Sequence, residues 1–304
     1  MKIAVIGAGA MGCIFGGKLS TGHEVHLIDV NEQLVQQIRK DGVILEEDSG
    51  QKVYHPCISA DSKDLGEMDL VILFVKSMFS RDALKNNKHL IGANTYLLTL
   101  QNGAGHEATL EEFARKSRII IGTTEDNGRM LAPGHVRRGG RGRVNIGCLV
   151  ESRDGILAKI KTAFDCCGFD TCIHENIRQL IWNKLLMNSS LSATTAVLKC
   201  TIGYVGADKS AWAMAQALLA EGCAVAEALG LHPDKEELVK KMEYTTTNSP
   251  NGITSIAADL RSGRKTEVDM ITGTVVRTAK EVGVAVPAHE FVFHTIHALE
   301  GVTV

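Results

Sequence analysis

MKIAVIGAGAMG, residues 1–12, opens with a short apolar run of β-forming type and passes through three glycines into a segment able to start a helix. Gly7, Gly9 and Gly12 stand in GxGxxG spacing between that strand and that helix. In such a turn the first glycine permits a tight bend, the second lets the backbone approach a pyrophosphate, and the third lets the helix pack on the strand. The phosphates then lie at the helix N-terminus. Gly7, Ala8, Gly9, Ala10, Met11 and Gly12 are therefore the expected cofactor-binding turn, with the Met11 side chain most simply a core residue. The glycine spacing alone is weak, but HEVHLIDV (23–30) reads as a second strand that ends at Asp29, about 20 residues on, where the fingerprint requires an acid. Asp29 would accept from a ribose 2′-hydroxyl and repel a 2′-phosphate, which leans toward NAD over NADP. Nearby Lys76 would soften that preference.

Working outward, NEQLVQQIRKDG (31–42) reads as a helix closed by Gly42, and VILEE (43–47) with KVYHP (52–56) as a small hairpin. DLVILFVKS (69–77) and TYLLTLQNGAG (95–105) are continuous apolar strands of the kind covered on both faces in a parallel sheet. A helix is expected over EATLEEFARK (107–116), a strand over RIIIGTT (118–124), a hairpin over HVRRGGRGRVNIGCL (135–149) and a last strand over GFDTCIH (168–174). Alternation of this kind predicts an α/β fold with an N-terminal Rossmann-like, doubly wound parallel sheet, whose ligands lie at the carboxyl ends of the strands. Those ends are Gly7–Gly12, Asp29, Lys76, Asn102 and Thr123. After residue 174 the texture becomes helical, as in AWAMAQALLAEGCAVAEAL (211–229) and RKTEVDMITGTVVRTAKEV (264–282), and TTTNSPNGITS (245–255) reads as a loop before a helix that Gly263 interrupts. A chain of 304 residues favours two domains, here 1–174 for the dinucleotide and an all-helical 175–304 for substrate and catalysis.

The second domain opens on IWNKLLMNSSLS (181–192). At about 100° per residue, Lys184, Asn188 and Ser192 span an arc of about 80°. Ile177, Leu180, Ile181, Met187 and Leu191 crowd the same region of the wheel, so the lysine points inward. Burying an ammonium lowers its pKa, which suits a proton donor to the oxygen of a ketone receiving hydride. Glu267 and Asp269 fall on the helix predicted over RKTEVDM, where Glu267 would pair with the lysine or orient it.

The 33 basic and 35 acidic side chains are interspersed, for a net charge of −2, which gives no general attraction to nucleic acid or to an anionic membrane. Arg137, Arg138, Arg141 and Arg143 read as a solvated hairpin, without the aromatic interleaving expected of a nucleic-acid surface. No apolar run reaches the roughly 18 residues of a spanning helix. The eight cysteines are scattered, and the chain begins directly with a strand pattern, so a reducing cytoplasm is the expected home. Cys166, Cys167, Cys172 and His174 lack zinc-ligand spacing, so no metal is expected.

MKIAVIGAGAMG, FVKS, LQNGAG, IWNKLLMN and RKTEVDMITG, in this order, resemble the ketopantoate reductase (2-dehydropantoate 2-reductase) family over essentially the whole chain. The resemblance implies a two-domain enzyme that reduces a 2-keto acid with NAD(P)H in a cleft between the domains. It implies Lys184 as the general acid and Glu267 as its acidic partner. Asn102, Asn188 and Ser255 would contact substrate or the nicotinamide side, Ser192 would share the substrate site, and Lys76 would line the cofactor side. Two departures stand out. Ser192 replaces an asparagine common in the family, and IDVN carries no arginine at the end of strand two, where NADPH users commonly have one. The acid there resembles NAD-using relatives, some of them D-2-hydroxyacid (D-mandelate type) dehydrogenases. A non-enzymatic nicotinamide-binding sensor is the remaining alternative, and the intact Lys184, Asn188 and Glu267 set argues against it. The expected partner is a small-molecule 2-keto acid; helix-rich second domains often self-associate, which leaves a homodimer open.

Overall fold

A computed structural model describes residues 1–139, 142–150 and 154–302. The strands are β1 (Lys2–Ile6), β2 (Glu24–Ile28), β3 (Val43–Glu47), β4 (Gly50–Tyr54), β5 (Cys57–Ser59), β6 (Leu70–Leu73), β7 (Tyr96–Thr99), β8 (Ile119–Thr124), β9 (Gly128–Ala132), β10 (His135–Arg138), β11 (Arg143–Cys148) and β12 (Asp170–Ile173). The helices are α1 (Ala10–Leu19), α2 (Glu32–Asp41), α3 (Ser80–Asn86), α4 (His106–Leu110), α5 (Ile156–Cys166), α6 (Ile177–Met187), α7 (Ala193–Leu198), α8 (Ile202–Ala207), α9 (Lys209–Ala228), α10 (Lys235–Asn248), α11 (Ser255–Arg261), α12 (Thr272–Val282) and α13 (Pro287–Glu300). They divide into two compact units, one of residues Met1–Gln101 and His106–Ile177, the other of Asn102–Gly105 and Arg178–Val304.

The first unit is built on an eight-stranded sheet in the order β12-β11-β8-β7-β6-β1-β2-β5. From β8 across to β5 the strands are parallel, whereas β11 runs antiparallel to β8. All four residues of β6 and all four of β7 are buried, as their unbroken apolar sequence requires of strands covered on both faces. Phe15 of α1 is fully buried and stacks on Phe169 with ring centroids 4.4 Å apart. A fully buried phenylalanine of this kind contributes about 1.5–3 kcal/mol. Asn31 caps α2 by accepting from Leu34 N, and Gly42, at φ 75, ends it where a side chain would be strained.

A second sheet, in the order β4-β3-β10-β9, packs on α1. The hairpin expected over residues 135–149 does not form. β10 pairs with β9 and β3 in the small sheet, while β11 pairs with β8 and β12 in the large one. Arg138 is accordingly not a solvated side chain. It is 3 % exposed, donates through Nε and Nη2 to the Asp126 carboxylate at 2.9 and 2.8 Å, and donates through Nη1 to Glu47 at 2.8 Å. Arg137 and Arg143 do face solvent and pair with Asp48 and Asp170; Arg141 lies outside the described residues.

The second unit is helical throughout its secondary structure. Here α10 runs to Asn248, so Thr245–Asn248 are helical rather than part of a loop, and Gly263 (φ 63) follows α11. The helix expected over 264–282 starts only at Thr272, after a single 3₁₀ turn at Val268–Met270. Similarly, α4 stops at Leu110, well short of the helix expected to residue 116. Among the described residues no helix is long and apolar enough to cross a membrane.

Removing one partner of a buried ion pair leaves the other charge uncompensated. Arg138→Ala is therefore expected to lose about 3–5 kcal/mol of unfolding free energy in urea. Arg137→Ala, one residue earlier on the same strand with its side chain in solvent, should change stability by about 0–1 kcal/mol.

Candidate functional site

In the first unit the three glycines have separable roles. Gly7 has φ +100, and an ideal Cβ there would lie 2.7 Å from Val75 N, so both conformation and space demand glycine. A Cβ on Gly12 would lie 1.8 Å from the Gly7 carbonyl oxygen, which is the close packing of helix on turn. Gly9 is different: φ is an ordinary −63, and nothing lies within 4 Å of a Cβ placed there. It is the N-cap residue of α1 and supplies no side-chain cap. The unsatisfied N–H groups of the first helical turn thus border open space at the positive end of a ten-residue helix, which is the place and polarity a pyrophosphate needs.

Asp29 closes this turn from β2. Its Oδ2 accepts from Ala8 N at 2.7 Å and its Oδ1 from Asn31 N at 3.0 Å. A carboxylate offers about four acceptor positions, so further ones remain for a ribose diol. Beside it is a cavity of about 380 Å³ lined by Gly7, Asp29, Val30, Asp61, Lys63 and Asn87 among others. Val30, where a 2′-phosphate would want an arginine, is 86 % exposed, and the Lys63 ammonium lies 3.3 Å from the Asp61 carboxylate. The residues fit the adenosine half of a dinucleotide. Burial, reinforced by the Asp29 charge, pushes the Cys13 thiol up to about 12, so it remains a thiol and donates to the Ala8 carbonyl. Lys76 is half-buried and follows Val75, whose backbone abuts Gly7. Sequence reading missed Gln101, a buried amide whose Nε2 donates to the Val75 carbonyl; nothing local in LTLQN marks it as more than a strand end.

In the second unit, Lys184 lies in α6 and is half-buried rather than enclosed. The helix does not continue as regular α: residues Asn188–Ser192 form one π-helical turn before α7. A π turn rotates less per residue, so Ser192 falls closer to the line of Lys184 and Asn188 than a regular helix would put it. Ser192 is 6 % exposed, while Asn188 is half-buried. The turn packs against α11, and Thr195 Oγ1 lies 2.7 Å from Thr254 Oγ1, the residue that precedes Ser255. Thr195 was not singled out from sequence; like Gln101 it is legible only from its partner. Ser255 itself is exposed.

Glu267 is not on a helix, contrary to the expectation from periodicity. It is half-buried and precedes the 3₁₀ turn, its carbonyl accepting from Met270 N at 3.0 Å. The loop that begins with Asn102 is bound to this turn. Ala104 N donates to the Met270 carbonyl at 3.3 Å, Thr274 Oγ1 donates to the Ala104 carbonyl at 3.1 Å, and a Cβ on Gly103 would lie 2.2 Å from Met270 O. The Asn102 loop and the Glu267 turn are therefore neighbours, as are the Asn188–Ser192 turn and the start of α11. Asp269 is exposed and faces His297 at 3.3 Å.

Two family models cover most of the chain: ketopantoate reductase PanE/ApbA matches residues 3–151 and its C-terminal counterpart residues 176–300. The chain is 29 % identical over 304 residues to the 2-dehydropantoate 2-reductase of Streptococcus pyogenes serotype M3, covering 99 % of each protein. It is 31 % identical over 309 residues to that of Pyrococcus abyssi, again covering 99 % of each. Among solved structures, D-mandelate dehydrogenase with NADH and anilino(oxo)acetate superposes with a TM-score of 0.93 at 30 % identity, over 99 % of this chain and 98 % of that one. A PanE/ApbA family ketopantoate reductase from Ralstonia eutropha superposes with a TM-score of 0.91, also at 30 % identity and the same coverage.

The open space at Gly9 makes a separation of binding from folding testable. Gly9→Ala should keep the wild-type melting temperature to within about 2 °C, since its φ suits alanine. NADH affinity, measured by fluorescence titration, should fall at least about tenfold, because the methyl occupies the phosphate position.

Proposed function

The chain belongs to the ketopantoate reductase family, oxidoreductases that act on CH–OH groups with a nicotinamide cofactor, and from that premise we propose that it reduces 2-dehydropantoate to pantoate. Residues 1–174 hold the dinucleotide through Gly7, Ala8, Gly9, Ala10, Met11, Gly12, Asp29 and Lys76, with Asn102 facing the nicotinamide. Residues 175–304 supply the substrate site and the acid. The observation that carries this reading is the line of Lys184, Asn188 and Ser192 along α6 and its π turn, in a chain whose other unit presents an uncapped helix N-terminus beside Asp29.

A dihydronicotinamide bound there would supply the hydride to the carbonyl carbon of the 2-keto acid. As that carbon is reduced the carbonyl electrons collect on oxygen, and Lys184 Nζ transfers a proton to the forming alkoxide. Glu267 holds the lysine or a substrate hydroxyl in place, and Asn102, Asn188, Ser192 and Ser255 fix the polar groups of the substrate. Fixing them on helical and tightly bonded turns limits the freedom lost on reaching the transition state. Asp29 and the absence of a base at Val30 favour NADH over NADPH.

A second reading is favoured by those same two positions and by Ser192, which is shorter than the asparagine common in the family. In it the enzyme is an NAD-dependent D-2-hydroxyacid dehydrogenase, as D-mandelate dehydrogenase is. Steady-state rates with 2-dehydropantoate, 2-ketoisovalerate and benzoylformate, each with NADH and NADPH, discriminate the two. The highest kcat/KM is expected for 2-dehydropantoate with NADH; a preference for benzoylformate would assign the second reading. Tight NADH binding with turnover of none of them would leave a sensor.

Lys184→Ala should bind NADH as the wild type does yet lose at least about 10²-fold in kcat, the usual worth of a general acid. Unchanged turnover would remove Lys184 from the reaction. Asp29→Ala should narrow the ratio of kcat/KM between NADH and NADPH, chiefly through better use of NADPH. An unaltered ratio would refute the ribose assignment.

A further inference from the structure

Gln101 is 8 % exposed, and the hydrogen bonds of its amide join the ends of two strands. Its Oε1 accepts from Thr99 Oγ1 at 2.8 Å. Its Nε2 donates to the Val75 carbonyl at 2.5 Å and to Ser80 Oγ, at the start of α3, at 3.0 Å. Thr99 and Ser80 are themselves buried, at 2 % and 4 % exposure. Both amide hydrogens are thus committed, and a flipped amide would set oxygen against the Val75 carbonyl, so the partners dictate the orientation. The Val75 backbone also abuts the glycine turn, since an ideal Cβ on Gly7 would lie 2.7 Å from Val75 N. One amide at the end of β7 therefore fixes the carbonyl at the end of β6, immediately before Lys76 and directly against the glycine turn.

Burial alone would be served better by leucine, since an amide out of water is costly unless its hydrogen bonds are made. What the amide adds is a fixed height for one peptide group among the ligand-side ends of β1, β6 and β7. We propose that Gln101 is a positioning residue for the cofactor half of the site: it anchors the Val75 carbonyl and through it sets where Lys76 meets the dinucleotide. The inference rests on Lys76 lining the cofactor side. Gln101 touches neither substrate nor cofactor in this role.

The test is a double-mutant cycle read by NADH dissociation constants. Gln101→Glu keeps size and the bond from Thr99 but cannot donate, and it sets a carboxylate against the Val75 carbonyl. It should weaken NADH binding at least about tenfold in the wild-type background. In a Lys76→Ala background the same change should cost no more than about twofold, because the side chain being positioned is gone. The drop in melting temperature, which a purely structural role would also produce, should be equal in both backgrounds. Ser80→Ala, which leaves the Val75 bond intact, should keep NADH affinity within about twofold. If Gln101→Glu does not fold, Gln101→Met replaces it in the cycle with the same expectations. Unchanged NADH affinity, or an equal loss in both backgrounds while Lys76→Ala alone weakens binding, would overturn the inference and leave the Lys76 reading standing. A Lys76→Ala variant that binds NADH as the wild type does would refute the Lys76 reading and the inference with it.

Discussion

The first unit depends on the approach of two backbones at the end of β1. With a Cβ on Gly12 1.8 Å from the Gly7 carbonyl, α1 is seated so low on the turn that no other residue fits without displacing it. That seating points the first turn of α1 at the open space beside Gly9 and brings Ala8 N within 2.7 Å of the Asp29 carboxylate. It also sets the outer face of α1 against the small sheet, where Gly128 meets Ile14 and Ala10. Arg138 then ties β10 and β3 of the small sheet to Asp126 in the connection between β8 and β9. The open N-terminus of α1, the bond between Ala8 N and Asp29 and the packing of the small sheet on α1 thus share one origin, a contact with no side chain in it.

Much of this is local and was legible in the sequence. β1, the glycine turn, α2 with its Gly42 stop, the β3-β4 hairpin and the buried runs of β6 and β7 each follow from residues adjacent in the chain. What was not legible depends on partners far away. β10 and β11 are separated by only a few residues yet enter different sheets, because each pairs with strands elsewhere in the chain. Arg138 looks like one of four solvated arginines until Asp126 and Glu47, 12 and 91 residues away, are placed beside it. Thr245–Asn248 read as loop from composition but extend α10, the threonine hydroxyls bonding back to the carbonyls of Lys241 and Glu243.

The same division applies to the site. Asp29 and the glycines were singled out because a fingerprint of fixed spacing implies a mechanism, and Lys184 and Asn188 because helical spacing puts them on one face. Glu267 was expected on a helix and lies ahead of one. The helical period of 264–282 is real, yet Ile271, at φ −104 and ψ −88, interrupts it and leaves Glu267 in the turn that precedes α12. The π turn at Asn188–Ser192 could not be read from NSSLS, whose hydroxyls are as compatible with a regular helix. Ser189, Ser190 and Thr194 bond instead to carbonyls of their own helix, at Leu186 and Ser190, and so occupy the interior with satisfied polar groups.

Hydride transfer by this chain from a dihydronicotinamide to C2 of a 2-keto acid can be followed atom by atom. The most direct measurement is a single turnover with excess enzyme, NADH deuterated at both C4 positions and 2-dehydropantoate, followed by proton NMR of the product. The account predicts loss of the 340 nm absorbance in step with pantoate carrying deuterium at C2 and no proton there. Pantoate protonated at C2, or cofactor that stays reduced while bound in the presence of 2-dehydropantoate, 2-ketoisovalerate or benzoylformate alike, would contradict it.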